Sequence, residues 1–434
     1  MSNMIKTAII CASLGFAGLL SLQTGQKAST VKVETPEKVT YAEHVAPIIN
    51  KHCISCHRPG DVAPFSLVGF DAAKKQHTMI ASAADAKRMP PWKAVEGYGD
   101  FKGENRLSAQ EIAILKKWSI QNAARGDAKK EPPTPIFPKT EWSHGTPDKV
   151  LQLSKPFELE SEGPDVYRNF VFDLGNTEDV YIKAMDVRPG NKAVVHHVIG
   201  FLDASGRSVQ LEKNSPDDQD GYSSSGGGIG LIPSGALGGW APGVMVQETE
   251  PGVAFKVSPG TKIVLQIHYH KSGKPEKDQT KVALYYAKEK IERTQEIFWA
   301  ANPMFRIPPG AKSHAVNWST PLPADATIYT VMPHMHLLGK SMKAHVVTPQ
   351  GNKIPLVWVD SWDFNWQLVY TLKQPLEVKR GSKLVVNAVY DNSTENPNNP
   401  NDPPRPITWG EETTDEMALL VVGYSVNGGG RLRR

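Results

Sequence analysis

The sequence predicts a multidomain chain, with a small all-α domain followed by two all-β domains of the antiparallel sandwich or jelly-roll type. The chain has 434 residues, which is too long for one ordinary domain. Apolar residues at helical spacing are concentrated within residues 38–128. From residue 150 onward, short alternating runs are separated by Pro-Gly pairs at 189–190, 259–260 and 309–310, a pattern typical of antiparallel β-structure.

The composition is that of a globular protein, with 40% hydrophobic and 22% charged residues. The formal net charge of +4 gives no indication of a nucleic-acid partner. The three cysteines, Cys11, Cys53 and Cys56, cannot build a disulfide framework. Because no cysteine follows residue 56, any metal site further along must use histidine, methionine, carboxylate or backbone ligands, which excludes a blue-copper site.

Residues 1–28 are predicted to be a signal peptide or signal-anchor, since Lys6 precedes an apolar run over residues 7–22. This leader predicts an extracytoplasmic protein, most simply in a bacterial periplasm. Membrane anchoring by the N-terminal segment stays open, because no clear cleavage site follows the run.

Residues 38–128 contain Cys53, Cys56 and His57 in the C-x-x-C-H pattern of covalent haem c attachment. The two thiols would form thioethers to the haem, and His57 would bind the iron. A zinc site would need further ligands nearby, and a redox C-x-x-C would not need His57. Met89, before two prolines, is the predicted sixth ligand, with Met79 and His77 as alternatives.

Helix signals surround this motif. Residues 41–52 carry apolar side chains at helical spacing, and Ser108 with Glu111 forms a capping box before a second helix. The segment resembles a bacterial class I cytochrome c domain. Residues 129–145 are rich in proline and charge, and they predict an extended linker that leaves the pose of the haem domain free.

We place the boundary between the two β-domains near residue 290, giving domains at 146–290 and 291–428 and a frayed tail at 429–434. Residues 215–243 are rich in glycine and serine and lack a core-forming pattern. They are predicted to form a mobile loop.

Four strand-like segments carry candidate metal ligands. His334 and His336 are two residues apart on an extended chain, so both imidazoles point to one face. His196 and His197 are adjacent and would point to opposite faces, so binding one metal requires a kink, bulge or strand end. His268 lies on the polar face of the run 262–270.

Met417 precedes the last predicted strand, and on its own it would be read as a core residue. Together with the histidines it divides the candidates into His196, His197 and His268 in the first β-domain, and His334, His336 and Met417 in the second. Three imidazoles suit a copper ion that cycles between two oxidation states. Two imidazoles and a thioether favour Cu(I), which can offer an open position to dioxygen.

The motifs Val-His-His-Val (195–198), Leu-Gln-Ile-His-Tyr (265–269), Pro-His-Met-His-Leu-Leu-Gly-Lys (333–340) and Thr-Asp-Glu-Met (414–417) occur in this order. Over residues 150–428 the chain resembles the copper type II, ascorbate-dependent monooxygenases, which include peptidylglycine α-hydroxylating monooxygenase and dopamine β-monooxygenase. The resemblance implies two jelly-roll domains that flank a cleft, with one copper ion on each domain.

By this resemblance, the three-histidine copper transfers electrons. The copper held by His334, His336 and Met417 is catalytic: it binds O₂ and hydroxylates a C–H bond of an unknown small substrate. One oxygen atom enters the product and the other leaves as water. Met332, Leu419 and Val421 replace an arginine, an asparagine and a tyrosine of the peptide-hydroxylating members, so peptidylglycine is not the expected substrate.

The haem-attachment motif predicts that electrons reach the copper through the haem. They would come from a reductant or from an upstream electron-transfer protein. The alternative is a copper-binding or electron-transfer protein without catalysis. A zinc hydrolase would account for three histidines but not for the second ligand set or the haem motif. A sandwich that has lost its metals is disfavoured because all six ligand positions are filled.

Overall fold

The structure is a computed structural model that describes residues 33–61, 63–137, 142–224, 228–241, 244 and 246–428. The predicted leader at 1–28 and the tail at 429–434 lie outside these residues. None of the helices in the described part of the chain is both long enough and apolar enough to cross a membrane.

The first part of the chain is helical. A π-helical turn at Tyr41–Val45 leads into α1, and a 3₁₀ turn at Ala128–Lys130 closes the unit. The four α-helices are α1 (Ala46–His52), α2 (Phe70–Lys75), α3 (His77–Asp85) and α4 (Ala109–Ile120). The capping box predicted at the start of α4 is confirmed, because the Ser108 side chain and Glu111 bond each other's backbone N–H groups. Trp118, fully buried, lies in the core of this unit.

The first β-sandwich follows. It contains two five-stranded sheets with the orders β1-β11-β4-β8-β12 and β6-β3-β9-β5-β7, and the pair β10-β2. A short helix, α5 (Arg207–Lys213), joins β5 to β6. The strands are β1 (Lys149–Gln152), β2 (Phe157–Leu159), β3 (Val166–Asp173), β4 (Val180–Arg188), β5 (Val195–Asp203), β6 (Tyr222–Ser223), β7 (Gly235–Trp240), β8 (Val253–Val257), β9 (Lys262–Tyr269), β10 (Glu276–Asp278), β11 (Lys281–Tyr286) and β12 (Arg293–Thr294).

The second β-sandwich begins directly after β12. Its two four-stranded sheets have the orders β13-β22-β16-β19 and β15-β20-β17-β18, and β14 pairs with β21. The strands are β13 (Glu296–Ala301), β14 (Arg306–Ile307), β15 (His314–Pro321), β16 (Ala326–His334), β17 (Gly339–Val347), β18 (Lys353–Val359), β19 (Tyr370–Val378), β20 (Lys383–Tyr390), β21 (Ile407–Thr408) and β22 (Leu419–Val426).

Each sandwich buries one face of its strands. On β17, Met342, Ala344 and Val346 are fully buried while the residues between them are partly exposed, which is the period of two expected for a half-buried strand. The predicted predominance of β-sandwich structure with few helices is what the structure shows.

The prediction of a mobile loop at residues 215–243 is wrong. The segment contains β6 and β7, and β7 pairs with β5 in the central sheet. Arg168, which is buried, donates two hydrogen bonds to the Asp217 carboxylate at 2.7 and 2.8 Å and fixes the start of the segment. A strand whose sequence is Gly-Ala-Leu-Gly-Gly-Trp shows no alternation of apolar side chains, because glycine carries none.

The helical unit is fixed to the second sandwich, so the predicted free pose of the haem domain is also wrong. Residues 92–102 run along the sandwich, with bridges from Ala94 to Val359 and from Phe101 to Leu372. The Trp92 ring meets the Tyr370 ring edge-on, with centroids 5.3 Å apart. Contacts made by this segment hold the unit against the second sandwich.

Candidate metal sites and the cavity between the sandwiches

Three imidazoles of the first sandwich converge on one point. His196 and His197 lie on β5, His268 lies on the neighbouring β9, and one nitrogen of each is within 4.8 Å of the others. The Nδ1 atom of His197 is 3.2 Å from Nδ1 of His196 and 3.4 Å from Nδ1 of His268. Three nitrogen lone pairs directed at a common position fit a metal cation, and imidazole nitrogens suit copper.

A β-bulge makes this convergence possible. Val195 pairs with Tyr269 and His197 pairs with His268, so His196 is an extra residue in β5. The extra residue removes the alternation that would turn adjacent side chains to opposite faces. The structure therefore contains the irregularity that two adjacent ligands require.

Asp165 orients the third imidazole, and sequence reasoning missed it. Its carboxylate accepts a hydrogen bond from Nε2 of His268 at 2.8 Å and another from Nδ1 of His270 at 2.9 Å. Burial opposes its ionisation, but the bonds from the two histidines hold the Asp165 pKa below its usual value. The ring of Tyr167 stacks on His268 at 4.3 Å. These contacts fix His268 with Nδ1 facing the other two histidines, as metal-binding imidazoles are commonly fixed.

The second group of predicted ligands lies at the end of β16. The rings of His334 and His336 are 5.3 Å apart and nearly perpendicular. Nδ1 of His334 bonds the Gln367 side-chain oxygen at 2.7 Å, and Nδ1 of His336 bonds the carbonyl oxygen of Asp415 at 3.2 Å. Both rings thus keep Nε2 for another partner, and Met417 lines the same cavity as the two imidazoles.

Glu416 holds the backbone around this second group. Its buried carboxylate accepts N–H bonds from His336 at 2.8 Å, Leu338 at 2.6 Å and Met417 at 3.2 Å. Burial raises the pKa of Glu416 to about 8, and the N–H donors act in the opposite direction. One side chain therefore ties the histidine loop to the methionine loop.

We expect Glu416→Gln to lower the free energy of unfolding by about 2–3 kcal/mol, because the amide nitrogen would face backbone N–H donors. Urea denaturation of the metal-free protein would measure this. Glu412→Gln, at an exposed position nearby, is the matched control and should change little. Equal stability of the two variants would contradict this role of Glu416.

Phe364 lies between the two groups of ligands. Its ring stacks on His196 with centroids 5.1 Å apart and meets the ring of His336 edge-on at 6.0 Å. The same loop carries Gln367 and Asp363, and Asp363 pairs with Lys93 of the helical unit at 3.5 Å. Both candidate metal sites and the helical unit therefore meet at this loop.

A cavity of about 430 Å³ lies between the two sandwiches. All six predicted copper ligands line it. The three-histidine group approaches from the first sandwich and the second group from the other, so the two candidate sites face each other across one cavity.

Burial disfavours the protonated form of four of the candidate ligands. It lowers the pKa values of His196 and His334 to about 4 and that of His336 to about 3, and it lowers the pKa of His197 well below its usual value. A neutral imidazole has a free lone pair, which is the form that binds a metal.

We expect the free energy of unfolding of the metal-free protein to fall as the pH is lowered from about 6.5 to about 4. Unfolded imidazoles take up protons below their ordinary pKa while the folded ones do not, so the unfolded state binds more protons in this range. Urea denaturation at pH 7 and pH 5 would measure the change. His336→Gln should make the dependence shallower, and equal unfolding free energies at the two pH values would contradict the expectation.

The C-x-x-C-H motif lies at the end of α1. Cys53 and Cys56 are unpaired, and burial raises the pKa of Cys53 to about 12. Nδ1 of His57 bonds the Phe65 carbonyl oxygen at 3.1 Å, which leaves Nε2 for iron. These features fit covalent haem c.

The three candidates for the sixth iron ligand differ in their surroundings. Met89 is half-buried, whereas Met79 is 52% exposed. His77 is engaged by the Ser119 hydroxyl at 2.9 Å. Met89 stays the predicted ligand.

The second site belongs to a recognisable class of domain, a β-sandwich that carries a His-x-His pair and a methionine at one cavity. Residues 298–427 match the family model described as copper type II ascorbate-dependent monooxygenase, C-terminal domain. The matched range contains His334, His336 and Met417 and spans less than a third of the chain. The match supports a copper-dependent monooxygenase, an oxidoreductase that uses O₂ and a substrate.

Similar solved structures include the infectious bursal disease virus VP2 subviral particle, with 8% identity over 66% of this chain and 73% of that one and a TM-score of 0.20. The PBSX exported protein XepA is 11% identical over 64% and 87% of the two chains, with a TM-score of 0.18. The major capsid protein P2 of bacteriophage PM2 is 10% identical over 65% and 99%, with a TM-score of 0.27. At these TM-scores the likenesses carry no argument about fold or function.

Proposed function

We propose that the protein is a copper-dependent monooxygenase that uses O₂ to hydroxylate a C–H bond of a small molecule. The observation that carries this proposal is the placement of six metal-ligating side chains on facing walls of one cavity. The family match over residues 298–427 supports it independently.

In this proposal His334, His336 and Met417 hold the copper at which O₂ reacts, and His196, His197 and His268 hold the copper that supplies electrons. When bound, copper supplies one-electron redox chemistry and a position for dioxygen. Gln367 and the Asp415 carbonyl hold the two imidazoles of the second site in one tautomer and orientation.

We also propose that Cys53 and Cys56 attach one haem c, that His57 and Met89 bind its iron, and that electrons from a reductant or an upstream protein enter through it. A contact between the two parts of the chain supports this. The Nζ of Lys192, four residues before His196, donates to the Asp61 carbonyl oxygen at 2.8 Å, and Asp61 follows the haem motif. Such chemistry fits an extracytoplasmic location, as the leader predicts.

Metal and haem analysis of the purified full chain, followed by turnover under ¹⁸O₂ with a screen of small molecules, would test the function. We expect two copper ions and one haem per chain, and a product that carries one ¹⁸O atom. Two coppers without any substrate-dependent O₂ consumption would overturn the monooxygenase and favour an electron-transfer protein. Absence of copper would overturn both.

A further inference from the structure

The second sandwich forms one wall of the cavity. This wall changes from polar to apolar at the first row of paired strand residues beyond the metal ligands. Register across the sheet places His334 and Ala301 on either side of Leu419. The next row in the same direction places Met332 and Trp299 on either side of Val421. All of these residues line the cavity, so an apolar surface adjoins the second candidate site directly.

The first sandwich supplies an apolar wall opposite. Ile199 and Phe201 on β5, together with Leu237 and Trp240 on β7, line the cavity. The ring of Phe201 stacks on the ring of Trp299 across the two sandwiches, with centroids 6.1 Å apart. This aromatic pair bounds the apolar part of the cavity.

The strand spacing gives the length of the apolar part. Phe201 lies four residues beyond His197 on β5, and Val421, the neighbour of Trp299, lies four residues beyond Met417. Measured along the strands at about 3.3 Å per residue, the aromatic pair is about 13 Å from His197 and Met417. This span matches one aromatic ring with a short side chain.

In the described part of the chain, the charged side chains that line the cavity include no unpaired basic side chain that could bind an acidic ligand. Among its described lining residues the charged ones are Lys183, Glu248, Glu250 and Glu411. Lys183 pairs with Glu248 at 2.8 Å, and Glu250 pairs with Lys102. A carboxylate placed in the cavity would therefore lose its hydration without gaining a free basic partner, which is costly.

We propose that the substrate is a mainly apolar molecule without an acidic group, of the size of a phenyl ring with a three-carbon chain, held between the Phe201–Trp299 pair and the metal ligands. The inference rests on the proposed function, because it names the substrate class of that same cavity. It assigns recognition to the apolar rows and the aromatic pair.

Two ligands of matched shape test it: 3-phenylpropan-1-ol and 3-phenylpropanoate. Their affinities for the full-length protein with haem but without copper would be measured by calorimetry, so that no metal ion can bind the carboxylate. We expect the alcohol to bind about 100-fold tighter than the carboxylate, because the carboxylate finds no unpaired basic side chain among the described residues that line the cavity. Equal or tighter binding of the carboxylate would overturn the proposal.

Variants locate the binding site. Val421→Thr keeps the shape of the side chain but adds a hydroxyl to the apolar wall, and it should weaken binding of the alcohol about fivefold. Trp299→Ala should weaken it about tenfold by removing the aromatic surface. Val150→Thr makes the same change as the first variant at an exposed position on β1 and should leave the affinity unchanged. Equal affinities of Val421→Thr and Val150→Thr would overturn the assignment of the site.

A turnover assay distinguishes a failure of this inference from a failure of the proposed function. Tight binding of the alcohol without O₂-dependent hydroxylation would overturn the monooxygenase and leave the ligand class standing. Hydroxylation of the carboxylate in preference to the alcohol would overturn the ligand class and support the monooxygenase.

Discussion

Replacing His268 with alanine is expected to lower the copper content of the purified protein from two ions per chain to one and to reduce product formation at least about a hundredfold. The Nδ1 atom of His268 is one of three nitrogens that converge, and its position is fixed by Asp165 and Tyr167. Elemental analysis and product assays with ascorbate as the electron source would measure both effects.

His270→Ala is the matched control for this experiment. His270 follows β9, bonds the same Asp165 carboxylate and is largely exposed, so its loss should leave the copper content unchanged. Asp165→Asn should be intermediate, with copper affinity about tenfold lower, because His268 would keep its nitrogen but lose its charged partner. Retention of two copper ions by His268→Ala would contradict the assigned site.

Replacing Cys53 and Cys56 together with alanine is expected to remove the haem and to stop turnover driven by a reduced c-type cytochrome as donor. Turnover with ascorbate should persist, because the copper ligands lie on the two sandwiches and not in the helical unit. Haem absorbance, copper content and both assays would be compared with those of the unaltered protein.

Ser55→Ala alters the same turn without removing an attachment site, and it should retain haem and both activities. Stopped-flow absorbance adds a direct measurement on the unaltered protein. Reduced haem mixed with oxidised copper should become oxidised on the timescale of turnover. A haem that stays reduced while product forms would show that electrons enter by another route.

The candidate site residues that the sequence identifies are those whose pattern is local. The Cys-x-x-Cys-His run and the His-x-His pair are each complete within a few positions. The adjacent pair His196 and His197 was informative for a different reason, since it implied a break in the strand, and the structure has a bulge there.

Local sequence patterns could not identify Asp165 and Phe364 as residues of the candidate sites. Asp165 reaches His268 only because β3 pairs with β9, where Val166 opposes Tyr269. Phe364 contacts both sites from a loop, and loops carry no periodic signal. Such positions are set by tertiary packing between residues far apart in the chain.

Tertiary packing between residues far apart in the chain also explains the errors in the predicted fold. Strand β7 is held by its pairing with β5 and not by its own propensity, because half of its residues are glycine. Residues 92–102 of the helical unit lie against the second sandwich through Trp92 and Phe101, and nothing in their own sequence identifies that partner.

The attachment of residues 92–102 has a consequence for the timing of electron supply. The helical unit is fastened to the second sandwich, whereas the three-histidine group belongs to the first. Any hinge motion that parts the sandwiches to admit substrate would also carry the haem motif away from its proposed acceptor and break the contact between Lys192 and Asp61. Electrons would then reach the three-histidine group through the haem only while the two sandwiches are closed on each other.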